Sequence, residues 1–488
     1  MTSDLAERAR ELALLLTGWP SVTGTPGETA LPHRLAEHLG HFDAAWVAAI
    51  PDDPFRRSNV FALKRGRSRR TIVLTGHFDT VTFDDYGALA ELALAPDVLA
   101  KAMIARLKQG GESALALADL EGGDFLPGRG LLDMKAGLAA GLAAMETYSG
   151  GMTLLFLGVS DEEERSAGAR AAIPQLLAAA QEHGLEIALV TNLDSISDQG
   201  DGSTGRIVTY GSIGKQLLCA HVEGVPVHAG YAQQGVNAAY VMAELVRHIE
   251  LSPQLSDRTG DEVAAPPTAL YAKDGKSGYN VTTPASAFAY WNTLQHRQSG
   301  AEVLEIAMAL AARAAAAAEA LTGQKVAVHR AADFAMPAFS PDPALSLPDQ
   351  SRLAFTELVK ANDVRGPAVI LGFGSIPYPA VLLKDGPLRR AISQAVTAHG
   401  LGEVNYFAGI SDVSFYGEAA GDLGVVAANT PIWGTGFAMP EPGGWPAVNI
   451  GPWGRDYHTW LERLHAPYAF NTLPRVLLSV IDAVAKLG

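Results

Sequence analysis

Short, continuous apolar runs alternate with helical patterns along the first part of the chain. Leu5, Leu12, Leu15 and Leu16 recur on one helical face, which Gly18 and Pro20 close. Residues 71–75 form a β-branched run ending at Gly76, residues 153–157 a second apolar run, and residues 187–190 a third. Between them, residues 134–145 are rich in small side chains and read as helix. Residues 171–181 predict another helix, with Pro174 expected in its first turn, where a missing N–H is tolerated. Continuous apolar strands separated by helices predict an α/β fold: a mostly parallel sheet with helices on both faces.

The pattern changes near residue 206. Strands are expected at 217–222, 287–291 and 325–328, with helices at 236–249 and at 301–321, the latter closed by Gly323. This block predicts an α+β domain inserted into the first, so that residues 1–208 and 328–488 form one discontinuous domain around 209–327. Pro337, Pro341, Pro343 and Pro348 mark a linker over 335–348. Beyond it, α/β alternation is expected to resume in the first domain, with a strand at 368–371 and helices at 388–399 and 473–487.

Polar residues cluster just beyond the apolar runs. His77 and Asp79 follow the first, Asp161 to Glu164 the second and Asp194 the third, where open α/β sheets bind ligands. The balance of 37 Lys+Arg against 52 Asp+Glu gives a net charge of −15, which argues against nucleic acid as the main partner. The single cysteine, Cys219, rules out an internal disulfide and a cysteine-based zinc cluster. Any metal site must therefore draw on His, Asp and Glu. The first residues lack a basic stretch leading into an apolar core, and no window of 18 residues is uncharged and apolar. A cytoplasmic protein without membrane contact is expected.

In Gly76-His-Phe-Asp-Thr-Val81, strand periodicity puts His77 and Asp79 on one side, and a carboxylate commonly orients a ligating histidine. Taken alone, His77 reads equally as a solvated loop residue, Asp133 as a helix N-cap, and Asp161 to Glu164 as a solvated acidic turn. Gly128-Arg-Gly-Leu-Leu-Asp-Met-Lys135, Asn192-Leu-Asp194 and Gly451-Pro-Trp-Gly-Arg-Asp-Tyr-His458 complete the set.

Together and in this order, these motifs resemble the di-zinc metallopeptidase family of acetylornithine deacetylase, succinyl-diaminopimelate desuccinylase, aminoacylase and carboxypeptidase G. Asp85-Tyr-Gly87, Gly409-Ile-Ser-Asp-Val-Ser-Phe415 and Asn449-Ile-Gly-Pro-Trp-Gly454 look closest to its RocB-like arginine-utilisation branch. The resemblance spans nearly the whole chain. It implies two divalent ions per chain, zinc first, with cobalt or manganese also accepted by such donors. His77 and Asp194 would hold one ion, Glu163 and His458 the other, and Asp133 would bridge them. Asp79 would orient His77, and Glu162 would be the general base. The peptide after Asp133 would be cis. The inserted domain would act as lid and dimerisation surface of a homodimer. His228, in Gly224-Val-Pro-Val-His-Ala-Gly230, would polarise the scissile carbonyl from the partner subunit or in cis, and Asn280 would touch substrate. Two departures bear on the substrate. Tyr290-Trp-Asn292 stands where many relatives have Asp-x-Arg, and the loop between Val81 and Gly128 is long.

The implied activity is hydrolysis of an amide in an N-acyl amino acid or short peptide. Two alternatives stand beside it: a non-catalytic binding relative, and a dinuclear phosphoesterase. Intact Glu162, Glu163 and His228 weigh against the first, and the lack of an obvious basic phosphate clamp against the second.

Overall fold

In the computed structural model, which describes residues 2–342, 344–407, 409–421 and 423–487, the three apolar runs become neighbouring parallel strands. Arg70–His77 pairs with Thr153–Val159 on one side and Glu186–Asn192 on the other. They lie inside an eight-stranded sheet. The antiparallel strands Ala44–Ala49 and Ser58–Lys64 extend one edge. Ala447–Asn449, Ile207–Thr209 and Gly402–Val404 extend the other.

Side chains alternate between two cores. Ile72, Leu74, Leu154 and Phe156 face the helices Thr2–Thr17, Ala136–Thr147 and Leu473–Ala485. Val73, Leu155 and Leu157 face Ala169, Ile173 and Leu176 of the helix Ala167–His183. Burial on both faces is why these strands read as unbroken apolar runs. The small residues of Ala136–Thr147 let it approach the sheet closely. A Cβ on Gly137 would stand 2.0 Å from the Leu193 carbonyl oxygen.

Pro174 is not in a first turn. The helix starts at Ala167, and Arg170 N already donates to Ser166 O. Pro174 lies inside the helix and lacks only the bond that would reach the Arg170 carbonyl. The long stretch after Val81 is helical, with Pro96–Gly110 and Ala114–Gly122 packing around Tyr86, Leu99 and Met103.

The second sheet runs in the order Thr268–Asp274, Ser286–Gln295, Gly214–Glu223, Ala368–Tyr378, Ala327–Arg330. The helices Ala238–Ile249 and Gly300–Thr322 cover one face, and Ser299 and Glu302 cap the second of them reciprocally. Here the expected boundary needs correction. The strand expected at 368–371 to resume the first domain runs Ala368–Tyr378 and pairs antiparallel with Gly214–Glu223. Its apolar run marks a buried strand without naming its neighbour, because pairing is a long-range property. A cut at 327/328 would therefore divide this sheet. A helix at Leu347–Ala361, with Pro348 in its first turn, follows the expected linker. Its Phe355 and Leu358 cover the sheet's other face. Pro343 lies outside the described residues.

The chain leaves for the second sheet and returns from it through one short ribbon, in which Gly211–Ser212 pairs antiparallel with Val381–Leu382. Among the described residues, no helix is long and apolar enough to cross a membrane.

Candidate metal centre

Three strand ends deliver most of the donors to one rim. His77 ends the strand Arg70–His77, Glu162 and Glu163 follow Thr153–Val159, and Asp194 follows Glu186–Asn192. Asp133 arrives on the tight turn Leu131–Lys135, ahead of the helix Ala136–Thr147. It is not the N-cap of that helix, a position taken by Lys135, and its own φ of −112° and ψ of 95° are extended. The Asp133–Met134 peptide is cis. His458 comes from a loop near the C-terminus and holds a left-handed backbone, with φ 63°.

His77 Nε2 lies 3.2 Å from Asp133 Oδ1 and 3.8 Å from Asp194 Oδ1. His458 Nε2 lies 3.2 Å from Asp133 Oδ2 and 3.1 Å from Glu163 Oε2. Two triads result, His77–Asp133–Asp194 and Asp133–Glu163–His458, each with its donor atoms within 4.8 Å of one another. Asp133 belongs to both and turns one oxygen to each histidine. Glu162 belongs to neither, and its Oε2 stands 4.0 Å from His77 Nε2.

Asp79 braces both halves of the rim. Its backbone carbonyl lies 3.0 Å from His77 Nδ1, closer than its carboxylate at 3.6 Å. The orienting contact thus runs mainly through the main chain. The carboxylate instead accepts from the backbone N–H of Glu162 at 3.1 Å, that of Glu163 at 3.3 Å, and the Thr23 hydroxyl at 2.8 Å. Of the four consecutive acids, only Glu164 is exposed. Asp161 is buried against Arg57, and its N–H donates to Glu28 at 2.9 Å.

The charges show what this rim would accept. Burial pushes the carboxyls of Asp194 and Glu162 well above the ordinary range, and neighbouring carboxylates push the same way. Burial alone would lower His458, but its bonds to Asp133 and Glu163 raise it to about 10. His77 is likewise held well above its usual value, by Asp133 and Asp79 against desolvation. Carboxylates packed this closely raise one another's pKa, and divalent cations would offset that repulsion. Two imidazoles and a shared carboxylate, with a terminal carboxylate on each side, suit divalent ions of the zinc class.

Several further residues support the rim. Arg129 donates to Glu462 at 2.6 Å and to Asp85 at 2.8 Å, and Gly130 N donates to Glu462 at 2.9 Å, which anchors the turn carrying Asp133. Lys135, fully buried, donates to the Trp19 carbonyl at 2.7 Å, and burial lowers its pKa to about 7. Asn449 exchanges hydrogen bonds with the backbone of Asp194 at 3.0 and 2.9 Å. Asp412, in the segment Gly409 to Phe415, is buried, and its two oxygens find no hydrogen-bond partner among the described residues. Burial raises it to about 7, and its charge adds to the upward push on Glu162. An acid set among small and apolar residues is the signal the sequence offers.

The structure does not bring His228 and Asn280 into either triad. Both are exposed, on adjoining loops of the second sheet's domain. His228 Nδ1 accepts from Gly230 N at 3.1 Å and bridges in sequence register to Thr282, while Asn280 Oδ1 accepts from the Thr282 hydroxyl at 2.6 Å. Tyr279 beside them is 94% exposed.

Residues 109–430 match the family described as Peptidase family M20/M25/M40. The chain belongs to this family. It is 29% identical to the uncharacterised protein YqjN of Bacillus subtilis (strain 168), over 98% of this chain and 96% of that one. It is 27% identical to protein RocB of the same strain, over 97% and 94%. Among solved structures, the Bacillus subtilis YXEP protein, a dinuclear metal-binding peptidase of the M20 family, superposes with a TM-score of 0.54 at 14% identity, covering 100% of this chain and 99% of that one. The α/β catalytic fold and the second, smaller domain are those of the M20 family, and the protein is a metal-dependent hydrolase.

Proposed function

We propose that this M20 hydrolase cleaves the amide bond of an N-acyl amino acid or short peptide at the rim of the first sheet. The observation that carries the reading is the pair of triads sharing Asp133, with Glu162 beside them and outside both. His77 and Asp194 would hold one divalent ion, Glu163 and His458 the other, with zinc favoured by the donor set. When bound, the ions would supply Lewis acidity and lower the pKa of water. Glu162 Oε2 takes the proton of the attacking water and returns it to the leaving amine, a role its place beside both triads and outside them allows. Asp79 keeps His77 and the Glu162–Glu163 turn in register with each other.

The reading includes a homodimer that pairs through the second sheet's domain, with His228 of the partner subunit reaching the scissile carbonyl and Asn280 touching substrate. The exposure of both residues supports it, as does the edge strand Thr268–Asp274, where Leu270 is 58% exposed. The net charge of −15 supports a small substrate rather than nucleic acid.

Protein purified without chelator is expected to carry about two divalent ions per chain and to turn over N-acyl amino acids or dipeptides in preference to an aryl phosphate. Amide turnover that survives complete chelation would sink the reading, and a preference for the phosphate ester would replace it with the phosphoesterase alternative.

A further inference from the structure

A cavity of about 570 Å³ adjoins the candidate metal centre. Two of its lining residues touch that centre. Ser195 N donates to Asp194 Oδ1 at 2.7 Å, and the Tyr457 ring meets the His458 ring edge-on at 5.1 Å. From there the cavity runs between the far edge of the first sheet and the second sheet. Ile207 and Val404 line it from the first, and Leu294 and His296 from the second.

Its walls are mostly apolar, and the uncharged hydroxyls of Ser195, Ser197, Thr204 and Thr209 sit among them. Ile196, Ile207, Ile213, Leu294, Val404 and Phe407 all face it. Among the described residues, no Lys or Arg lines it. Its one carboxylate, Glu262, is already engaged: it accepts from Asn405 N at 2.9 Å, Asn405 Nδ2 at 2.8 Å and Tyr406 N at 3.1 Å. Its one imidazole, His296, lies flat on the Tyr406 ring, with centroids 4.2 Å apart and 5° between planes. Burial lowers the pKa of His296, which disfavours the charged form of the ring, although Asp257 and Glu262 pull the other way. An anionic side chain would lose its water here without meeting a cation, and a cationic one would meet a carboxylate already taken. An apolar side chain is relieved of water by the aliphatic and aromatic walls and asks nothing of the few hydroxyls.

We infer that this cavity receives an uncharged, apolar residue of the substrate, branched aliphatic or aromatic in size, next to the amide that is cleaved. Leu294 and Ile207, one from each sheet, set its width and so its selectivity. The inference rests on the amide-hydrolase reading and narrows its substrate class.

The test compares zinc-loaded protein on the N-acetyl derivatives of alanine, leucine, phenylalanine, arginine and aspartate. Leucine and phenylalanine are expected to exceed arginine and aspartate in kcat/KM by at least about tenfold. Leu294→Trp, which fills the cavity, is expected to lower the phenylalanine-to-alanine ratio by about tenfold or more. Ile207→Ala, which widens it, shifts preference towards phenylalanine over leucine and serves if the tryptophan variant does not fold. A preference for a charged side chain, or ratios unmoved in folded variants, overturns the inference while amide hydrolysis stands. If no amide is cleaved, the hydrolase reading fails separately, and calorimetry with N-acetylphenylalanine decides the cavity. Binding that weakens about tenfold or more in Leu294→Trp upholds it. Absent binding, or binding that Leu294→Trp leaves unchanged, overturns it.

Discussion

The rim of the first sheet and the loop edge of the second sheet's domain both carry residues that the motifs single out, and they hold them in opposite ways. At the rim, His77, Asp79 and Asp194 are buried and bonded, and Asp133 is gripped by histidines from both sides. At the edge, His228 and Asn280 are exposed, and their side chains bond to near neighbours in their own loops. The rim is finished by the fold alone except for its charge, which calls for cations. The edge is left open, and under the proposed dimer another surface would complete it. Preorganisation comes from burial in one region and would come from association in the other.

The comparison breaks most directly at Glu162. Glu162→Gln keeps shape and removes the base, so kcat is expected to fall by about 10²–10⁴ while metal content stays at its native value. A near-native rate would move the base elsewhere, with Glu164 the next candidate. Asp79→Ala comes next. It loosens His77 and the Glu162–Glu163 turn together, and metal affinity measured by competition with a chelator is expected to drop by about 10–100-fold. Unchanged affinity would mean that the rim holds its shape without that brace.

The edge is probed by mixing. His228→Ala and Glu162→Gln chains, each inactive alone, are combined under subunit exchange. If His228 works across a symmetric dimer, about half the dimers are hybrids with one intact site of two, and activity returns to about a quarter of native. No recovery above the parents would place His228 in cis and leave the rim untouched.

The smallest effect sharpens the charge argument. Burial holds Asp412 at about 7, whereas the unfolded chain releases that proton near about 3.9. Between those values the folded state binds the extra proton, so the stability of metal-free protein falls as pH rises from about 4 to about 7. Asp412→Asn should make that decline shallower in urea titrations at several pH values. An identical slope would remove Asp412 from the account.

Much of the rim was legible in the sequence because its signals are local. An apolar run ends, a His or acid follows, and three such ends in one parallel sheet must face the same way. His77, Asp194 and the acidic cluster Asp161 to Glu164 are found like this; the family resemblance picks Glu163 from that cluster, and the structure brings Asp133 and His458 near it. What escaped depends on distant partners. Nothing near Ala368–Tyr378 says that it pairs with Gly214–Glu223. Nothing near Arg129 announces Glu462, which lies more than 300 positions away, and Asp412 declares its burial only through its surroundings. Pro174 misled because a rule about proline outweighed the apolar face that carries the helix through it.

The ribbon of Gly211–Ser212 against Val381–Leu382 has a meaning for protein engineering. Excision at 209 and 327 would strand Ala368–Tyr378 without its neighbour, and the remnant would expose a torn sheet edge. Exit and return are instead side by side at Gly211 and Leu382, roughly 5 Å apart as in any antiparallel pair. A cut there removes the second sheet whole, and one or two residues suffice to rejoin the ends. The same geometry makes this ribbon a natural docking point for a foreign domain, since a module whose termini lie close together can enter there without stretching the host.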